Sequence, residues 1–204
     1  PVPSVRKPNV YRNPFAPFAG RQDYPVAHAH FYMQAHGTTA NPRSGFLVAD
    51  DDDIPFNQTL DSQGGPATVG YPISQRFALG GLTTQAFQKL VLQWHPETGQ
   101  VQPLNVLDAL HDAGDDAELA SSHQIPPPAD TSGDAGLSWD QVVARHEAYL
   151  DGNDALKAAY FSVPDPVGLY GLPTSPVTDE GNVLVVRCQR AALQLWKVDV
   201  PWAK

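Results

Sequence analysis

The sequence predicts an α+β fold made of two related turn-plus-β-hairpin units with a few short helices between them. Three observations predict it. A Gly-x-Pro-x-Ser run occurs twice, short alternating apolar segments follow each copy, and one stretch opens on a clear helix-capping signal.

The repeat carries most of the weight. Gly70-Tyr71-Pro72-Ile73-Ser74 returns as Gly171-Leu172-Pro173-Thr174-Ser175, an offset of 101 residues. At that offset Gly80 meets Gly181, Gln88 meets Gln189, Lys89 meets Arg190, Leu92 meets Leu193 and Gln93 meets Gln194, without a gap. Duplication accounts for so many matches at one spacing. Within a unit, Gly-x-Pro is a tight turn, with φ set at the proline and free at the glycine. The serine hydroxyl can cap that turn. The repeated glutamines stand where an amide could tie the turn to the hairpin.

The remaining elements follow in chain order. Residues 1–25 hold six prolines with Tyr11, Phe15, Phe18 and Tyr24 among them, which reads as an extended, polyproline-like arm. His28 to Gln34 alternates and is aromatic, so it reads as a strand, as does Gly45 to Ala49 before the acidic run Asp50 to Asp53. Thr83 to Phe87 and Leu90 to Trp94 are strands, with a turn at Pro96 to Gly99. Asn105 to Asp112 is a short helix with Leu104, Leu107 and Leu110 on one face. Ile125 to Gly136 contains three consecutive prolines and reads as a linker. Ser138 caps a helix carrying Trp139, Val142, Val143 and His146 at helical spacing. Asp154 to Phe161 is a further helix, stopped by Pro164 and Pro166. Val183 to Arg187 and Ala191 to Trp196 close the second unit as paired strands. The expected organisation is an arm at 1–25, a first repeat-containing domain at 26–124, a linker at 125–137, and helices plus the second unit at 138–204.

Bulk composition narrows the function. Of 204 residues, 42% are apolar and only 17% charged, against about 25% charged in an average soluble domain. Twenty prolines and a surface of uncharged polar groups fit an exported protein. The net charge of −9 comes from 18 Asp and 4 Glu, and no Lys/Arg cluster offsets it. Such a chain repels phosphate backbones, which disfavours nucleic acid as a partner. Cys188 is the single cysteine, which excludes an internal disulfide and Cys-based zinc sites. Its apolar run, Val183 to Cys188, predicts a buried structural thiol. No run of 18 apolar residues is present, so no membrane span is expected. No signal peptide is recognisable, and the opening at Pro1 without Met reads as a processed or trimmed terminus.

The run GYPIS…TTQAFQKLVLQWHPETGQV resembles an LGFP-type repeat, with its Gly-Tyr-Pro-x-Ser turn, Gln-Phe hairpin and Trp-x-Pro-x-Thr-Gly turn. The preceding FYMQAHG…GFLVADDDD…GGPATVGYPIS is similar to repeat units of exported bacterial surface proteins, although Phe31 to Gly37 departs from their usual Tyr-Phe-x-Glu-Thr-Gly-His. The likeness is good over 70–101, looser over 31–69, and degenerate over 171–196, where the Pro-x-Thr-Gly turn is missing. It implies an extracellular or cell-surface location and attachment to a glycan or wall polymer. It implies no activity.

Several constellations invite chemistry. Asp50, Asp52 and Asn57 could form a loose calcium site, but the run lacks the Gly and the distal Glu of an EF-hand loop. A solvated acidic loop is the expectation, with no metal and no cofactor. His28 and His30 would share one side of a strand, with His36 as a third group, yet no carboxylate spacing completes a metal set. His146-Glu147 opens like a zinc-protease motif, but Leu150 stands where the second His belongs. If the chain were a wall-polysaccharide hydrolase, Glu97 near Trp94 would be its acid, since an aromatic neighbour can raise a carboxyl pKa. For sugar binding, an aromatic platform beside directional amides is needed. Tyr71, Gln93 and Trp94 offer that in the first unit, and Tyr170, Gln194 and Trp196 in the second. A glycan-binding surface module is the leading expectation. The alternative is a structural subunit that self-assembles as a homo-oligomer through its N-terminal arm.

Overall fold

A computed structural model describes residues 23–32 and 45–199. The arm up to Gln22, the end of the strand expected to reach Gln34, and His36 lie outside these residues. The fold is α+β, with antiparallel sheets and short helices in two compact units, residues 1–104 and 105–204.

The first unit opens with a meander of β1 (Asp23–Val26), β2 (Ala29–Tyr32), β3 (Phe46–Asp51) and β4 (Ile54–Pro55), each antiparallel to the next. The arm's last residues, Asp23 to Pro25, are therefore strand, paired with His30 to Tyr32. His28 is not in the strand expected for it: it sits in the β1–β2 turn with φ +54°. The acidic run is shared between two elements. Asp50 and Asp51 end β3, while Asp52 and Asp53, both at positive φ, make the tight turn into β4. Asp tolerates that conformation better than most residues.

α1 (Phe56–Ser62) follows directly, its Phe56 and Leu60 one helical turn apart and fully buried. Pro55 offers its start no side-chain cap. Asp50 Oδ1 supplies one from outside, accepting from Asn57 N at 2.8 Å and Gln58 N at 3.0 Å. α2 (Gly65–Val69) then leads into the first Gly-x-Pro-x-Ser turn. A second meander completes the unit: β5 (Phe77–Leu79), β6 (Leu82–Ala86), β7 (Val91–His95) and β8 (Gln100–Pro103). Phe31, Val48, Phe56, Leu60, Val69 and Leu92 are buried in its core.

In the second unit α3 (Val106–Asp112) and α4 (Asp116–His123) precede the proline run. α5 (Trp139–Glu147) starts as expected, Ser138 and Gln141 forming a reciprocal capping box. α6 (Asp154–Tyr160) is capped by Asn153, and α7 (Pro166–Tyr170) by Asp165. β9 (Thr178–Asp179), β10 (Val183–Arg187) and β11 (Ala192–Trp196) form one antiparallel sheet. Leu150, Leu156, Tyr160, Val186 and Cys188 make its buried core, with Tyr170, Val177, Leu184 and Leu193 against it.

The 125–137 segment is not the boundary between units. The division falls at Leu104/Asn105, and the prolines belong to the second unit. Pro126 O accepts from Arg187 Nη1 at 3.1 Å and Ala129 N donates to Thr174 O at 2.7 Å. Those long-range bonds anchor a stretch whose composition alone reads as a tether.

Candidate functional site

The two copies of the turn share one set of closing bonds. Gly70 and Gly171 both have positive φ, +86° and +76°, and each ends a short helix, α2 or α7. A Cβ at either glycine would sit 2.7 Å from Gln88 Cβ or 2.6 Å from Gln189 Cβ, so only glycine fits. Pro72 bridges Phe87, and Pro173 bridges Cys188. Gln88 Oε1 accepts from Tyr71 N, and Gln189 Oε1 from Leu172 N, both at 3.0 Å. Ser74 Oγ accepts from Ala86 N at 2.8 Å, and Ser175 Oγ from Arg187 N at 2.9 Å. Lys89 and Arg190 reach back to the preceding helix, at Ala67 O and Gly168 O. The repeated Gly, Pro, Ser, Gln and Lys/Arg are thus the parts that close the turn onto its hairpin.

The strand register is repeated as well. Thr84 pairs with Gln93 in the first hairpin and Val185 with Gln194 in the second. This register corrects the pairing of binding candidates. At the common offset Trp94 corresponds to Leu195 and Trp196 to His95, so the two tryptophans are not counterparts. Likewise Tyr71 corresponds to Leu172 and Tyr170 to Val69. Of the six residues, only Gln93 and Gln194 match.

Alternation along a strand then separates the first set. Gln93 and Trp94 are neighbours on β7 and point to opposite faces. Gln93 is buried and spends its amide on Leu79 O at 3.1 Å and Thr84 Oγ1 at 3.0 Å. Trp94 is half-buried, and Tyr71 packs edge-on to Tyr32 with centroids 5.8 Å apart. In the second set, Tyr170 lies against the core beside Tyr160, and burial pushes its hydroxyl pKa up. Gln194 and Trp196 are two apart on β11 and share a face. Gln194 is exposed, with Nε2 donating to His123 O at 3.2 Å, and Trp196 is half-buried.

The acids take structural places. Asp50 caps α1 and Asn57 is a residue of that helix, while Asp52 lies in the turn beyond β3. His28 is in its turn, apart from His30, whose ring stacks on Tyr32 with centroids 4.4 Å apart. Among the described residues no group of three His, Cys, Asp or Glu is arranged to hold a metal ion. Glu97 is exposed, and His95 Nδ1 stands 2.7 Å from its Oε1. Its pKa is lowered, first by a backbone hydrogen bond and then by the His95 side chain, opposite to the rise expected from Trp94. A carboxylate held ionised is a poor general acid.

Three features escape sequence reasoning. Trp139, at helical spacing with Val142, Val143 and His146, is 62% exposed at the first turn of α5. His146 is buried, its Nδ1 donating to Pro173 O at 2.6 Å and its Nε2 2.8 Å from Asp134 Oδ2, so it props the second turn. Arg187 is wholly buried where the first copy has Ala86. The doubled turn with its hairpin is thus a closed hydrogen-bonded scaffold, and the polar and aromatic groups in reach of solvent include Gln194 on β11 and Trp139 at the start of α5. In comparisons with protein-family models, curated proteins and solved structures, nothing matched this chain.

Proposed function

We propose that this chain is a secreted, cell-surface or cell-wall-associated module that binds a glycan or wall polymer through its repeat units. The observation that carries the reading is on β11, where the Gln194 amide and the Trp196 ring lie on one face of a strand at the sheet edge. A pyranose ring offers an apolar face and a rim of hydroxyls, which an indole and an amide side by side complement. The turn in the same unit is pinned by Gln189, Ser175 and His146, and Gln194 is itself tied to His123 O, which lowers the ordering cost on binding. The resemblance of residues 70–101 to LGFP-type repeats supports the same location and class of ligand.

Co-sedimentation of the full chain with purified, insoluble bacterial wall polymers tests this. The chain is expected in the pellet, and Trp196→Ala to weaken retention about tenfold, or ~1.4 kcal/mol. Trp94→Ala should retain binding, because its neighbouring amide faces the other way. A chain that stays in the supernatant with every polymer ends the proposal.

A further inference from the structure

The two copies end in equivalent sheet edges and guard them differently. In the second, Thr178-Asp179-Glu180 lines the edge, and Asp179 is tied to Lys197 Nζ at 2.5 Å. Charge on an edge strand is an ordinary protection against pairing with another segment. In the first, the counterpart residues are Phe77-Ala78-Leu79, all exposed, Phe77 at 36% and Leu79 at 43%. Ile73, in the turn just before, is 50% exposed. β5 is the outer strand of its sheet, and among the described residues no strand pairs with its far side.

The geometry says which backbone groups are on offer. Gly80 and Gly81, both at positive φ, form a two-residue turn between Leu79 and Leu82. In such a hairpin Leu79–Leu82 and Phe77–Thr84 are the hydrogen-bonded pairs, and Ala78–Thr83 is not. Ala78 therefore turns its N–H and C=O outward. An extended segment along β5 would satisfy both and cover Phe77 and Leu79.

Charge selects the segment. Residues 1–22 hold four of the chain's 13 Lys and Arg and none of its 22 Asp and Glu. The described part of the first unit is the reverse, with seven acids and only Arg76 and Lys89 as cations. Asp52 and Asp53 are exposed, and Asp51 pairs with Arg76, the residue immediately before β5. Proline cannot donate to a ladder, so pairing is confined to proline-free runs. Asn9-Val10-Tyr11-Arg12-Asn13, between Pro8 and Pro14, is such a run, and it is long enough for a three-residue strand. From Arg12 to Asp23 the chain can reach roughly 35 Å when extended. That tether gives an effective concentration on the order of millimolar.

We infer that β5 is the docking edge for the basic residues 1–22 of the same chain. The test uses the full chain and amide exchange by NMR at several protein concentrations. The Ala78 amide should exchange at least ~10-fold more slowly than a free amide, independently of concentration. Arg6→Glu/Lys7→Glu/Arg12→Glu should restore the free rate while the Phe77 and Leu79 amides, bonded to β6, stay protected. Ala78→Pro removes only an outward N–H, and should speed tryptic cleavage after Arg12 by a similar factor. A free rate at Ala78 in the unmodified chain overturns the inference. Protection that survives the charge reversal overturns it too, by pointing to another occupant. Protection that rises with concentration alongside a doubling of mass overturns the same-chain occupant in favour of a second copy.

Discussion

Arg187 Nη1 lies 2.7 Å from Asp116 Oδ1, which joins a wholly buried guanidinium on β10 to the first turn of α4. The same guanidinium donates to Leu107 O at 2.6 Å and Pro126 O at 3.1 Å. One side chain thus binds α3, α4 and the proline segment to the repeat hairpin. Burial alone would raise the Asp116 carboxyl, but hydrogen bonds from Arg187 and His111 outweigh it and hold its pKa below the ordinary value.

Asp116→Ala should therefore destabilise the second unit by about 2–3 kcal/mol, at the low end for a broken buried pair because Asp116 is partly exposed. With its folded pKa depressed, Asp116 contributes fully above about pH 4, where the unfolded carboxyl ionises. The contribution is lost as the pH falls through the folded value. Denaturation of the wild type and of Asp116→Asn across pH 2–6 should converge at the acid end.

Gln88→Ala and Gln189→Ala probe the turn closure in each copy. Gln88 loses one bond, to Tyr71 N, and should cost about 1 kcal/mol. Gln189 also donates to Asp108 Oδ2 at 3.0 Å, so its removal should cost about 2 kcal/mol. Equal costs in urea denaturation would mean that the second bond contributes nothing.

Gly70→Ala and Gly171→Ala combine a positive φ with a Cβ collision against glutamine. Each should cost about 2–3 kcal/mol. Gly80→Ala shares the positive φ but meets open space, and should cost only about 1–2 kcal/mol. Thermal melts of the three variants separate collision from conformation.

Cys188 is wholly buried, and burial pushes its thiol up to about 12. Thiolate is the reactive form. At pH 8 the native chain should resist a thiol reagent over an hour, and should react within minutes in denaturant. Rapid native labelling would mean that the β10 core opens readily.

Much of this was legible because the signals are local. The Ser138 N-cap, the Gly-x-Pro turns and the alternating strands each reside within a few neighbouring residues, and the structure has them at those places. The glutamine closure was legible only as a possibility, through its repetition. α1 was not: its two buried apolar residues make a weak pattern, and its cap, Asp50, comes from another element. α4 was missed for a similar reason, with Leu119 its single buried residue. The proline segment misled because composition does not disclose that Arg187 and Thr174 bond to it.

The sequence by itself determined the two Gly-x-Pro-x-Ser turns, the α+β class and the residues that make each turn, since φ preferences and side-chain caps act over short spans of chain. Tertiary structure decided which side chains remain usable. Strand register put Gln93 and Trp94 on opposite faces, kept Gln194 beside Trp196, and placed the apolar Phe77 to Leu79 on the outer described strand where the other copy has Asp179. Register is set by the partner strand and by burial of one face, and neither is written in the strand's own residues.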